Sequence, residues 1–374
     1  MPTVQDIASA LEAWAPAASK LDYDNVGLQV GHSNREVKRV LVALDLTPPV
    51  IEEAVKLSAE VIVTHHPLFF RPQNRLVGID PIGGMVLRMA EQGIAYYAIH
   101  TNLDVAHGGV SFALAEKLGL DEIRFLDPAE GDLVKLVVFV PETHAEAVRL
   151  AVAEAGAGRI GDYEACSFET KGTGRFRPRP GSNPHVGEPG GSTQSVEEVR
   201  LEVEVLRWTL ARVLEAVRTA HPYEEVAHDV YPMEQSASRI GSGAIGTLPE
   251  AMPLEDFLAR VSERLSAEAL RYSGNSEQSI KNVAVCGGSG SSLIRRAMAE
   301  GADAFVTADI TYHRFFETID PDGRHRMALV DPGHYETEAH TEQLIVDYLA
   351  PRFTDVTFTW TQIRTSEMET FVRS

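Results

Sequence analysis

The chain has 374 residues and a formal net charge of −20, from 34 lysines and arginines against 54 aspartates and glutamates. Hydrophobic residues make up 44% and charged residues 24%, which is ordinary for a soluble globular protein, and the length suggests two or three domains. The acidic balance disfavours a large nucleic-acid footprint, and no apolar stretch is long enough to span a membrane, so we expect neither as a partner.

The pattern of the N-terminal segment predicts an amphipathic helix that contains acidic residues. The segment lacks the basic flank and the apolar core of a signal peptide. We therefore expect a cytoplasmic protein. The two cysteines, Cys166 and Cys286, are far apart, which argues against a disulfide framework and against a cysteine zinc site. Each is expected to be a small buried apolar residue.

The first third of the chain alternates strands and helices. The patterns predict a helix over 4–18, a loop or short strand over 21–31, strands over 38–46, 60–64 and 95–99, and helices over 48–58, 82–92 and 109–118. This alternation favours an α/β fold with a mainly parallel sheet covered on both faces, giving three layers in the order αβα.

The character changes near residue 128. The patterns then predict strands over 133–140, 163–169, 197–206 and 226–231, helices over 142–155 and 209–220, and a long loop rich in glycine, proline and serine over 171–194. Two βαβ segments around a loop suggest a small ferredoxin-like α+β module. We therefore assign 128–240 to an inserted domain.

The α/β pattern resumes after Gly241. It predicts helices over 254–265, 292–300 and 338–348, and strands over 282–285, 304–307, 327–330 and 356–362. The principal domain is therefore discontinuous, with 1–127 and 241–374 forming one unit.

Three of the predicted strands end in side chains that can bind metals. His65 and His66 follow the strand over 60–64, His100 and Asp104 follow the strand over 95–99, and His334 and Glu338 follow the strand over 327–330. The carboxyl ends of parallel strands are where α/β sheets place their sites. The spacing of four between His334 and Glu338 puts both on one face of a helix, similar to the ligand spacing of zinc hydrolases, although HExxH is absent.

Several of these residues have more than one interpretation. Taken alone, one of His65 and His66 could be a ligand and the other a packed polar residue. His100 could relay protons, orient a ligand or bind metal itself, and we favour the first two roles. Asn25 and His313 are candidates for substrate contact, although a turn and a helix cap explain them equally simply.

Two further motifs favour a structural interpretation. The glycine-rich segment 287–292 follows a strand and opens a helix, but it lacks the lysine of a P-loop, so a tight turn is favoured over a phosphate site. His221, Glu224 and Glu225 could form a second metal or effector site, yet a helix end before Pro222 accounts for them without function.

Four ordered motifs resemble the family of GTP cyclohydrolase type 2 homologues, also called the NGG-interacting-factor-three-like family. They are Asp24-Asn25-Val26-Gly27-Leu28, Thr64-His65-His66-Pro67, His100-Thr101-Asn102-Leu103-Asp104 and Gly333-His334-Tyr335-Glu336-Thr337-Glu338. Within the insert, 167–176, 181–184 and 221–225 look like the P-II-like domain of the longer members.

The resemblance implies a pair of divalent metal ions held by five side chains, with Glu338 shared between the ions. The five are His65, His66, Asp104, His334 and Glu338. Three imidazoles and two carboxylates suit zinc, manganese, iron or nickel. The resemblance also implies a homohexamer whose sites face an interior cavity.

The leading hypothesis is a dinuclear metal-dependent hydrolase that activates a water molecule to attack a nucleotide, with GTP cyclohydrolase type 2 activity as its most specific form. A phosphoesterase would use the same metal ligands. A non-catalytic regulatory or scaffold protein, with the insert as a sensor, is the alternative from a different class.

Overall fold

The computed structural model describes residues 1–129, 131–161, 163–234 and 239–369. The helices, numbered in chain order, are α1 (Val4–Trp14), α2 (Pro48–Leu57), α3 (Pro81–Gln92), α4 (Thr101–Asp104), α5 (Val110–Leu118), α6 (Ala145–Glu154), α7 (Leu210–Ala220), α8 (Leu254–Leu265), α9 (Ile294–Ala299), α10 (His334–Glu338) and α11 (Thr341–Leu349). Among the described residues, none of the helices is long and apolar enough to cross a membrane.

The strands, also in chain order, are β1 (Gly27–Val30), β2 (Arg39–Ala43), β3 (Val61–Thr64), β4 (Ala95–Ala98), β5 (Asp121–Pro128), β6 (Leu133–Pro141), β7 (Phe168–Phe176), β8 (Gln194–Leu206), β9 (His228–Pro232), β10 (Gly241–Pro253), β11 (Arg271–Ser273), β12 (Ser279–Val285), β13 (Ala304–Val306), β14 (Ala328–Asp331) and β15 (Thr357–Trp360). The chain divides into a larger unit, 1–128 with 240–374, and a smaller unit, 129–239. The predicted α/β class is confirmed.

The first sheet of the larger unit has the order β1-β4-β3-β2-β15, in which all neighbours are parallel except β1 and β4. Strand β3 is buried on both faces, because Val61 and Val63 pack with α1 and α11 while Ile62 packs with α2 and α3. The apolar run before His65 therefore forms an inner strand of this sheet.

The second sheet of the larger unit has the order β11-β14-β13-β12-β10-β5. Only β12, β13 and β14 are parallel to one another, and the other neighbours are antiparallel. The structure thus has two sheets where the sequence predicts one mainly parallel sheet. Strands β5, β10 and β11 were not predicted, since β5 and β11 are largely exposed and β10 is interrupted by glycines, so none of them has an apolar run.

The smaller unit has one antiparallel sheet in the order β7-β8-β6-β9, with α6 and α7 packed on one face. The prediction for its second strand was wrong: the strand runs over Phe168–Phe176 instead of 163–169, so it takes in the start of the predicted loop. Gly172 and Gly174 explain why this strand was not predicted, because glycine has a low β-propensity. The backbone of the segment nevertheless pairs with β8.

Some boundaries differ for local reasons. Helix α1 begins with a capping box between Thr3 and Asp6 and ends at Trp14, because Pro16 cannot continue it, and a separate 3-10 turn follows over Ala17–Ser19. The predicted helix over 338–348 is two helices, α10 and α11. Both cysteines keep part of their surface exposed, so the prediction that they are buried was wrong.

Candidate metal centre

The predicted ligands come from both sheets of the larger unit. His65 and His66 follow β3, and His100 follows β4 and precedes α4, which ends at Asp104. Helix α10 follows β14 after a short turn, and it begins at His334 and ends at Glu338. The structure brings all five predicted metal ligands together around the buried Glu338 carboxylate.

The two oxygens of Glu338 face different partners. Its Oε2 atom lies 3.0 Å from Nε2 of His334 and 3.1 Å from Nε2 of His66. Its Oε1 atom lies 3.8 Å from Nε2 of His65, which is itself 3.4 Å from Oδ1 of Asp104. Two groups of potential ligands therefore share this one carboxylate.

Each of the three candidate ligand histidines has its Nδ1 atom hydrogen-bonded to an oxygen. The partners are the carbonyl of Ile99 for His65 at 2.9 Å, Oδ1 of Asp45 for His66 at 2.7 Å, and Oδ2 of Asp309 for His334 at 2.7 Å. Such bonds place the proton on Nδ1 and leave Nε2 free to bind a metal.

Sequence reasoning missed the roles of Asp45 and Asp309. Each aspartate follows the carboxyl end of a parallel strand, β2 or β13. The candidate ligands were predicted from the same kind of position. Asp309 also has a left-handed backbone, with φ of 54°. A search for acidic residues within the last two positions of every predicted strand or just after it would have found both.

Two polar atoms at the centre, Nε2 of His65 and Oδ1 of Asp104, are buried and have no hydrogen-bond partner in the part of the chain that the structure describes. Unsatisfied buried polar atoms are costly, and a metal ion between these two would satisfy both. Because nitrogen and carboxylate oxygen are ligands of the borderline divalent metals, these residues fit such ions.

The histidines and the carboxylates shift one another's pKa values. Burial alone would lower the pKa of His334, but Glu338 and Asp309 raise it to about 9. Burial likewise opposes protonation of His65, yet Asp104 and Glu338 raise its pKa well above the ordinary value. A metal ion that bound His334 at neutral pH would therefore displace a proton.

His100 lies beside the ligands. Its ring is edge-on to those of His65 and His66, with centroids 5.2 and 5.3 Å away, and one ring nitrogen of each of the three lies within 4.8 Å of the others. Its Nδ1 atom is 2.9 Å from Oδ1 of Asp24. Asp24 is fixed in turn by the backbone N–H of Thr101 at 3.0 Å and by its hydroxyl at 2.5 Å.

The two predicted substrate contacts are placed elsewhere. The side-chain nitrogen of Asn25 donates to the carbonyl of Phe69 at 2.8 Å. His313 is exposed on a 3-10 turn over Tyr312–Phe316, with its ring 5.3 Å from that of Tyr312. Among the described residues that line the cavity over the metal ligands, neither Asn25 nor His313 occurs.

The glycine-rich segment after β12 supports the carboxylate. The N–H of Gly288 donates to Oγ1 of Thr337 at 3.0 Å and that of Gly290 to Oγ1 of Thr307 at 2.8 Å, so both amides are already bonded within the protein. This agrees with the turn that we favoured over a phosphate site. A Cβ at Gly288, where φ is +56°, would lie 2.2 Å from Oε1 of Glu338, so only glycine fits there.

A cavity of about 620 Å³ opens over the centre, a size suited to a small molecule. Its wall includes His66, His334 and Glu338, together with the exposed rings of Tyr23 and Phe70. The wall thus combines candidate metal ligands with aromatic surface.

His221 in the smaller unit has a structural role. Since Nδ1 of His221 accepts the N–H of Tyr223 at 3.1 Å, its Nε2 atom carries the proton and donates to the carbonyl of Phe139 at 3.0 Å. Both ring nitrogens are therefore occupied. Glu224 accepts the backbone N–H of Asn183 at 2.9 Å.

A family model described as Duf34/NIF3 (NGG1p interacting factor 3) matches residues 2–369. The GTP cyclohydrolase 1 type 2 homolog of Halalkalibacterium halodurans is 40% identical over 331 residues, covering 88% of each chain. That of Bacillus subtilis is 40% identical over 332 residues, again 88% of each chain.

Solved structures agree with these matches. The Bacillus cereus protein related to NIF3 is 38% identical with a TM-score of 0.79, and the Staphylococcus aureus protein SA1388 is 28% identical with a TM-score of 0.76. Both alignments cover 99% of each chain. The family resemblance drawn from the four motifs is confirmed.

Proposed function

The chain belongs to the Duf34/NIF3 (NGG1p interacting factor 3) family, and on that premise we propose that it is a hydrolase dependent on two divalent metal ions and acting on a nucleotide, with GTP cyclohydrolase type 2 activity as the most specific form. The observation that carries the proposal is the shared Glu338 carboxylate. Its Oε1 faces His65 and Asp104, and its Oε2 faces His66 and His334.

The five side chains divide into two ligand sets. His65, Asp104 and Glu338 would hold one ion, and His66, His334 and Glu338 the other, with zinc, manganese, iron and nickel as the candidates. Two such ions, when bound, supply an activated water nucleophile and stabilise negative charge on the reacting group. Asp45 and Asp309 keep the Nε2 atoms of their histidines directed inward.

His100 has the geometry of a proton relay. Asp24 accepts a hydrogen bond from its Nδ1 atom at 2.9 Å, so in the neutral ring Nε2 has a free lone pair. The ring lines the cavity beside His66, within reach of a bound molecule. It could thus take a proton from water and pass it to a leaving group.

The cavity wall also suits a purine ring. Tyr23 and Phe70 are 68% and 51% exposed, and both line the cavity, so their ring faces are free to stack on a base. The names of the Halalkalibacterium halodurans and Bacillus subtilis relatives make GTP the first substrate to test.

The test is elemental analysis of protein purified without a metal-affinity step, followed by a screen of nucleoside triphosphates for release of formate and of phosphate. We expect two ions per chain and formate from GTP. Phosphate without formate would favour the phosphoesterase, and two ions without turnover would favour a regulatory protein. No bound metal, even after divalent ions are added, would refute the ligand assignment.

The domain organisation is part of the proposal, with 1–127 and 241–374 as the metal domain and 128–240 as a P-II-like insert. The order β6-α6-β7-β8-α7-β9 around one antiparallel sheet is typical of ferredoxin-like modules and supports the second assignment. We expect a homohexamer, and light scattering on the purified protein would measure its mass. A mass other than six chains would contradict that expectation.

A further inference from the structure

The smaller unit has a cavity of its own, and we propose that it binds a small organic anion with a planar ring. Its volume is about 790 Å³, within the range of about 300–1,000 Å³ for small-molecule sites. All of its lining residues lie between 139 and 227, so the cavity belongs wholly to the smaller unit.

The floor of this cavity is the sheet face opposite α6 and α7. Val138 and Val140 of β6 pack against those helices, so Phe139 between them faces the other way. Gly172 pairs with Glu198 in the register of β7 and β8, and it shares that open face. A Cβ at Gly172 would have no heavy atom within 4 Å, so the glycine leaves open space in the floor.

Aromatic rings form the walls. The rings of Phe176 and Tyr223 meet edge to face with centroids 5.6 Å apart, and His185 lies 6.1 Å from Tyr223. The Tyr223 hydroxyl donates to Oε1 of Glu198 at 3.1 Å, which fixes its ring at the edge of the floor. Such walls bury the faces of a planar ring.

Basic side chains outnumber acidic ones in the lining, five to three. Its basic members are Lys171, Arg175, Arg177, Arg179 and Arg200, and its acidic members are Glu198, Glu224 and Glu225. Glu198 and Glu224 already accept hydrogen bonds from Tyr223 and Asn183.

Three of the guanidinium groups can offer terminal nitrogens to a ligand, although Nε of Arg177 already donates to the carbonyl of Gly191 at 3.1 Å. Among the residues that the structure describes, Arg175, Arg177 and Arg179 form no ion pair, whereas Lys171 pairs with Glu142 and Arg200 with Glu202. These three guanidinium groups can therefore form charge-assisted hydrogen bonds with a carboxylate, phosphate or sulfonate group.

The test uses two fluorescent probes on the full-length protein. Anilinonaphthalene sulfonate is a planar-ring anion, and phenylnaphthylamine has the same rings without the charge. We expect saturable binding of the sulfonate at one site per chain. Replacing Arg177→Ala together with Arg179→Ala should weaken it about tenfold, as expected for the loss of charge-assisted hydrogen bonds, and should leave phenylnaphthylamine unaffected.

Matched variants locate the site. Arg149→Ala with Arg218→Ala removes the same charge from α6 and α7, and it should change neither titration. Gly172→Val fills the floor without a backbone clash, and it should abolish binding of both probes at an unchanged Tm. Sulfonate binding that survives Gly172→Val, an equal loss in the helix control, or no saturable binding by the natural protein would each overturn the proposal.

Discussion

Oε2 of Glu338 lies 3.0 Å from Nε2 of His334, one turn earlier on α10. The same oxygen is 3.1 Å from Nε2 of His66, which comes from the other sheet of the larger unit. A five-residue helix after β14 thus places one carboxylate against ligands from both sheets.

Glu338→Gln should remove both metal ions and lower turnover at least about 100-fold, because the shared carboxylate is a ligand in both sets. Metal content per chain and formate release measure the two effects. Glu336→Gln, on the same helix but outside both ligand sets, is the control and should keep its metal. Retention of two ions by Glu338→Gln would contradict the shared-ligand assignment.

Asp309→Asn should weaken metal binding by about 10–100-fold, because an amide holds the Nδ1–H of His334 less strongly than a carboxylate does. Asparagine tolerates the left-handed backbone at this position, so the fold should be retained. Competition with a coloured chelator measures the affinity. Asp347→Asn, on the surface of α11, is the control, and an equal loss there would argue against a specific role for Asp309.

Metal affinity should rise with pH. The pKa of His334 is raised to about 9, so at neutral pH the metal-free histidine is protonated and a metal ion must displace that proton. Affinity should therefore increase from pH 6.5 to 8.5 and level off above about 9. Calorimetry in buffers of different ionisation enthalpy counts the protons released, and release of none at pH 7 would contradict this prediction.

Glu342→Gln should stabilise the protein at alkaline pH. Burial, with the nearby charges of Asp45 and Glu53, raises the pKa of Glu342 to about 7, against an ordinary value of 4.5. The folded state therefore holds the proton of the Glu342 carboxyl group more tightly than the unfolded state does. The stability that this proton contributes is fully present below pH 4.5 and is lost as the pH rises through 7.

Glutamine keeps the oxygen that accepts the N–H of Leu44, at 2.8 Å, without acquiring charge. The gain in unfolding free energy at pH 8 should be on the order of 2 kcal/mol, and Tm at pH 5 should change little. Thermal unfolding at the two pH values measures the difference. An equal shift at both would show that ionisation of Glu342 is not the cause.

Gly288→Ala should cost both stability and metal. The new Cβ would lie 2.2 Å from Oε1 of Glu338 and would push the carboxylate away from His65. Gly301→Ala is the matched control, since φ is also positive there and nothing lies within 4 Å. The control should lose only about 1 kcal/mol from backbone strain and keep its metal. Equal metal content in the two variants would contradict the contact.

Local patterns predicted most of the elements that carry the ligands. The apolar run before His65 and the run before Asp331 both form buried strands, and helix α8 has the predicted bounds. Prediction failed where a strand lacks an apolar run, as in β5, β7 and β10, because a partly exposed or glycine-containing strand is held by pairing with its neighbours.

Side-chain type and strand-end position are local properties of the chain, so the pattern of residues was enough to predict which candidate ligands end which strands. The contacts that hold them could not be predicted in this way: Asp45 bonds His66 and Asp309 bonds His334 across 21 and 25 residues, and Gly288 passes against Glu338. These contacts depend on which strands become neighbours and on how closely the two sheets bring their ends together. The order of the strands in each sheet is set by packing between helices and strands that are distant in the chain, as when β15 pairs with β2. No local pattern of residues encodes this strand order.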